Sequence, residues 1–72
     1  MWYRAYIDGK MNIGGKVRWM MLEALPNIGS YLTRAEAVAQ ASDSLRYWRK
    51  HHKAGKLRGK YGGFRSRVVK KQ

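Results

Sequence analysis

The side chains able to act as acids, bases, nucleophiles or ligands are few in this chain, and they do not converge. Its carboxylates are Asp8, Glu23, Glu36 and Asp43. Asp8 precedes Gly9 and reads as a turn residue, Glu36 as part of a helix cap, Asp43 as an exposed helix position and Glu23 as the end of a strand. No two have a reason to meet, as paired acid–base work requires. His51 and His52 are adjacent, so on a helix they diverge and cannot share a metal in the i, i+4 manner. They read as surface histidines that add positive charge below about pH 6.5. Ser30, Ser42, Ser44 and Ser66 sit in no nucleophile motif. Cysteine is absent, which removes thiolate chemistry, disulfides and most zinc sites. The run from Gly55 to Lys60 is one residue too short for a P-loop, and Tyr61 stands where that loop needs Ser or Thr. The expectation is a protein that is not an enzyme and needs no metal or cofactor.

The chemistry that remains is charge. Of 16 lysines and arginines, 11 lie between Arg46 and Lys71, a stretch without a single acid, and the formal net charge is +12. Residues 1–44 are close to neutral. A field this one-sided calls for a polyanion or an acidic surface as partner. A surface that serves solubility alone normally mixes both signs. Here the cations are interleaved with Tyr47, Trp48, Tyr61 and Phe64 and with glycines. Arg46, Arg49, Lys50, Lys53, Lys56, Arg58, Lys60, Arg65 and Arg67 are therefore candidates for phosphate contacts with nucleic acid. Arg58-Gly59-Lys60-Tyr61-Gly62-Gly63-Phe64-Arg65 has the arginine, glycine and aromatic composition of flexible RNA-binding segments, or it is a plain loop. Trp2, Arg4 and Tyr6 alternate onto one face of a strand, with Arg18 expected opposite them. They are candidates for base stacking or groove contacts, or else Trp2 and Tyr6 complete a small core.

These groups must be positioned by a small scaffold. Seventy-two residues make at most one domain, and a chain this short buries little surface. The apolar fraction of 44% is nevertheless too high for a wholly disordered basic tail. Residues 2–8 alternate as a strand, with Tyr3, Ala5 and Ile7 on one side. Asp8 to Gly15 supplies turn signals, and a second strand follows over 16–24, so the two form an antiparallel hairpin. Both faces of the second strand are apolar, one for a helix and one for a partner. Leu25 to Leu32 is a connector broken by Pro26 and Gly29.

Thr33-Arg34-Ala35-Glu36 reads as a capping box opening a helix from Arg34 to about Lys53, with Gly55 as its stop. Val38, Ala41, Leu45 and Trp48, flanked by Ala37, form the stripe expected to pack on the hairpin. Arg46, Lys50 and Lys53 form a basic face beside it, with Arg49 at its boundary. Ala54 to Gly63 reads as a mobile loop. Residues 64–69 read as a third strand with Phe64, Ser66 and Val68 on one side, or alternatively as a disordered arm. The predicted class is α+β: an antiparallel hairpin packed by one helix, extending to ββαβ if the third strand forms. The division runs between a hairpin-and-helix unit over 1–54 and a basic glycine-rich loop with a strand or arm over 55–72.

The order of hairpin, Thr-capped helix and the strand Gly63 to Val69 resembles that of small ββαβ inhibitors which bacteriophages direct at host RNA polymerase. The segment Tyr31-Leu32-Thr33-Arg34-Ala35-Glu36-Ala37 is also similar in pattern to the helix start of arm-type DNA-binding domains of tyrosine recombinases, which place a small sheet in the DNA major groove. Both likenesses concern topology, and neither assigns a role to any residue here. The leading expectation is a non-enzymatic nucleic-acid-binding protein, with DNA favoured over RNA. The alternatives are a phage-type inhibitor that holds an acidic host-protein surface and a cationic membrane-active peptide. The small residues Ala37 and Ala41 speak against the last, since insertion needs bulkier apolar area. Met1 to Asp8 lacks a signal-peptide run, and Ala24 to Thr33 is too short and interrupted to span a bilayer. With no cysteine in the chain, the expected location is the cytoplasm.

Overall fold

The structure, a computed structural model, describes residues 1–72. Strands β1 (Trp2–Ile13) and β2 (Lys16–Leu25), helix α1 (Arg34–Lys53) and strand β3 (Gly63–Lys71) follow in chain order. The sheet order is β2-β1-β3, and both pairings are antiparallel. Strands β2 and β3 therefore run parallel to each other with β1 between them, so β2–α1–β3 is a split β-α-β unit. The α+β class holds, and the third strand forms. The disordered arm weighed for residues 64–72 is not realised.

The hairpin is longer than its turn signals suggest. β1 continues through Asp8 and Gly9 to Ile13, and only Gly14 and Gly15 turn, both at positive φ (59° and 80°). That pair gives the primed two-residue turn that matches strand twist. Asp8-Gly9 is not a turn. Gly9 is needed for space: a Cβ there would lie 2.7 Å from a Leu22 methyl and 2.8 Å from the Tyr61 ring. Across from it, the register slips between Ile7 and Asp8, which pair with Glu23 and Met21. Leu22 is the extra residue of this β-bulge. The bulge lets Leu22 and Glu23 both serve the helix side of the sheet.

The helix begins where Thr33 accepts a hydrogen bond from the Glu36 amide at 3.2 Å. The reciprocal half of the capping box, from Glu36 back to Thr33, does not form. At the other end the Gly55 and Lys56 amides donate to the His52 and His51 carbonyls, each at 3.0 Å, which is the Schellman arrangement. The face turned to the sheet is built on Ala37 and Ala41, both buried, while Val38 is 38% exposed. Of the predicted stripe, Ala41 is buried and Leu45 and Trp48 are half-buried, and only Val38 yields its place, to the flanking Ala37. The small side chains let the helix approach closely over Ala5 and Ile7, which are fully buried.

The helix packs on the hairpin through β1, extends over β3, and meets β2 only at its margin. Its link to β2 is Glu23, which accepts hydrogen bonds from Trp48 Nε1 (3.1 Å) and from the Ser44 hydroxyl. Phe64 completes the core, with the rings of Trp48, His52 and Tyr61 packed around it at 6.2, 5.3 and 5.3 Å between centroids. Gly9→Ala should lower stability by about 1–3 kcal/mol, because the added methyl overpacks against Leu22 and Tyr61. A shifted urea midpoint with an unchanged slope would register this loss.

Candidate nucleic-acid interface

Only one face of the three-stranded sheet is covered. Strand alternation sends Tyr3, Ala5, Ile7 and Gly9 toward the helix and Trp2, Arg4, Tyr6, Asp8 and Lys10 to the opposite side. Register then fixes their neighbours. On β3, Arg67 lies across from Tyr6, Arg65 from Asp8 and Lys71 from Trp2. On β2, Met21 lies across from Asp8, Trp19 from Lys10 and Val17 from Asn12. Directly paired residues share a face, so all of these side chains occupy the uncovered side. Several are apolar and open to solvent: Trp2 is 45% exposed, Trp19 40% and Met21 58%.

At the centre of this face sits Asp8, the only buried charged residue, 2% exposed. One of its oxygens, Oδ2, accepts from Arg67 Nε at 2.8 Å and from Arg65 Nε at 3.1 Å. Each guanidinium also has an aromatic neighbour. Arg65 lies over the Trp19 ring at 4.3 Å and Arg67 over the Tyr6 ring at 4.5 Å. The result is a row across all three strands, Trp19–Arg65–Asp8–Arg67–Tyr6. Burial pushes the Asp8 carboxyl up, but the hydrogen bonds from Arg67 and Arg65, with their charges, outweigh it. The net position is below the ordinary value of 3.8.

The other predicted site residues are placed as follows. Trp2, Arg4 and Tyr6 do share a face, but Arg4 reaches away from it, donating to the Pro26 carbonyl (3.0 Å) and the Gly29 carbonyl. It ties down the connector beside the Tyr3–Tyr31 bridge. Arg18 pairs with Met11 on the helix side of the sheet, not opposite Trp2, Arg4 and Tyr6. Arg46, Arg49, Lys50 and Lys53 are exposed on α1. Helical periodicity turns Arg46, Lys50 and Lys53 away from the sheet, with Arg49 at the flank. Arg46 is paired with Asp43. Lys56, Arg58 and Lys60 are exposed in the loop. There Gly62 donates its amide to the Lys10 carbonyl at 2.8 Å, and Lys60 and Tyr61 wall a shallow cleft with Lys10 and Asn12. Tyr61 packs inward on Phe64 and Gly9, so its role is structural.

The nine basic candidates therefore do not form one surface. They divide between the outer side of the helix, the loop, and the uncovered sheet face on the opposite side of the molecule. Sequence reasoning missed Asp8, Trp19 and Met21 as members of the face. The signal that could have found them was Arg65-x-Arg67 at strand spacing, which sends two cations to one side and demands a counter-charge there. No protein-family model, curated protein or solved structure matches the chain.

The depressed Asp8 value has a consequence for stability. Its carboxyl binds a proton less readily in the folded state than in the unfolded one, so the stabilisation is complete above about pH 4 and is lost as pH falls through the folded value. Melting temperatures recorded between about pH 6 and pH 2 should stay level and then drop in the acid range. Asp8→Asn should cost about 1–3 kcal/mol at neutral pH and make the acid drop shallower.

Proposed function

We propose that the chain is a small nucleic-acid-binding protein without enzymatic activity, acting in the cytoplasm, with DNA favoured over RNA. One observation supports this above the others: the uncovered sheet face combines three aromatic rings (Trp2, Tyr6, Trp19) with Lys10, Arg65, Arg67 and Lys71, and its one acid is buried beneath two arginines. Tyr6 and Trp19 carry the two guanidinium groups, so such a face with no exposed carboxylate suits a phosphate-lined groove, and Trp2 remains open to a base. The exposed lysines and arginines of the loop and helix add a sequence-independent field around it. No helix is long and apolar enough to cross a membrane.

A second reading has its own support. Val17, Trp19 and Met21 make an exposed apolar row on the edge strand β2, and such a row flanked by cations also suits an acidic protein surface. That is the chemistry a phage-type inhibitor of a host protein would use.

Titration against duplex DNA, single-stranded DNA and RNA at several salt concentrations separates the readings. The expected result is binding whose log–log dependence on salt is steeper than about −4, from five or more neutralised phosphates. Absent or salt-insensitive binding to all three would remove the nucleic-acid reading. Recovery of one acidic protein from nuclease-treated lysate would then favour the second.

A further inference from the structure

We propose that Arg65 and Arg67 are base-reading residues that recognise guanine in the major groove of duplex DNA, and that Asp8 is the positioning residue that aims them. The proposal rests on the nucleic-acid reading above and adds a specificity to it. Both arginines bind Asp8 through Nε alone. Their terminal Nη groups have no partner in the protein, and the two side chains remain 49% and 43% exposed. An arginine bonded at Nε and seated over an aromatic ring has lost much of its rotational freedom. Its remaining donors form a fork of set direction, and that fork matches the paired O6 and N7 acceptors of guanine.

The same fork can also grip a phosphate, but charge neutralisation alone needs no restraint, since a loose lysine serves it as a point charge. Position argues the same way. Arg65 and Arg67 lie in the middle of the face, where the floor of a groove would be, whereas Lys10 and Lys71 lie further along the strands on either side of them. The row crosses all three strands, about 10 Å from β2 to β3, and so faces a groove about 12 Å wide. Two residues along an antiparallel strand span about 7 Å. Both Nε atoms bond to one oxygen, Asp8 Oδ2, at 3.1 and 2.8 Å, so the two forks start inside that spacing and address neighbouring base pairs.

The test compares duplexes of one length and one salt concentration. Alternating d(G-C), which offers a guanine in every base pair, should bind at least about tenfold tighter than alternating d(A-T). Replacing guanine by 7-deazaguanine removes N7 and should abolish most of that preference. Replacing it by hypoxanthine changes only the minor-groove amine and should preserve it. Arg65→Lys and Arg67→Lys, which keep the charge, should lose the preference while holding affinity for d(A-T) within about twofold. Asp8→Asn, confirmed folded by circular dichroism, should reduce the preference in the same way. Equal binding to d(G-C) and d(A-T), or a preference that survives 7-deazaguanine, would overturn guanine reading and leave general nucleic-acid binding standing. A guanine preference confined to single strands or RNA would also overturn it. No binding to any nucleic acid would remove both.

Discussion

The fold turns on one carboxylate. Asp8 is buried at the centre of β1 and can be so only because two arginines reach it from β3. An unpaired carboxylate there would be strongly disfavoured by desolvation. The restraint also acts in reverse. Two adjacent guanidinium groups on one strand face would repel each other without a shared anion beneath them. Mutual need of this kind fixes the register of β3 on β1, with Asp8 opposite Arg65 and Tyr6 opposite Arg67. Register follows again on the other side of the sheet, where Phe64 must land over Gly9 to complete a core of very few large residues. A one-residue slip would invert both faces at once.

That core is thin, and its economy shapes the molecule. Ala37 and Ala41 allow close contact between helix and sheet, but they leave the helix too narrow to cover three strands. It sits over β1 and β3, and β2 is held chiefly through Glu23, whose bonds to Trp48 and Ser44 depend on the bulge at Leu22. The far half of the hairpin therefore projects with Ile13, Val17 and Met20 in solvent. Exposure of apolar strand residues on both sides of β2 is a direct product of a short helix over a long hairpin, whatever partner covers them.

Much of this plan was readable from local signals, and the failures share a cause. Thr33 before the helix, Gly55 after it, the glycine pair of the turn and the alternation of Phe64, Ser66 and Val68 are all short-range features, and the structure follows them. Asp8 was misread because Asp-Gly is a turn signal by local chemistry, while its real partners lie 57 and 59 residues away. Arg18 was put on the wrong face because the expected hairpin ended at Asp8. Extending β1 to Ile13 sets Arg18 against Met11 instead. Val38 was favoured over Ala37 as a core position because bulk is the usual marker of burial. Here the helix meets the sheet through methyl groups: Ala37 and Ala41 are buried, and Val38 is 38% exposed.

The separation of the basic residues onto two sides limits how they can act together. The molecule is a slab, 17 Å along its shortest axis, with the helix on one face and the Asp8 row on the other. A rigid duplex can lie against only one of these. With the sheet face engaged, Arg46, Lys50 and Lys53 point to solvent at a distance beyond the Debye length of about 8 Å at physiological salt. Any pull they exert on a duplex held there is long-range, strong at low salt and screened at physiological salt. Close contact falls to the sheet face and the loop beside it. A charge that looks like a single basic end in the sequence thus divides into two arrangements in three dimensions: a diffuse field from the helix and loop, and a small ordered array in which Arg65 and Arg67 are each fixed by Asp8 and an aromatic ring.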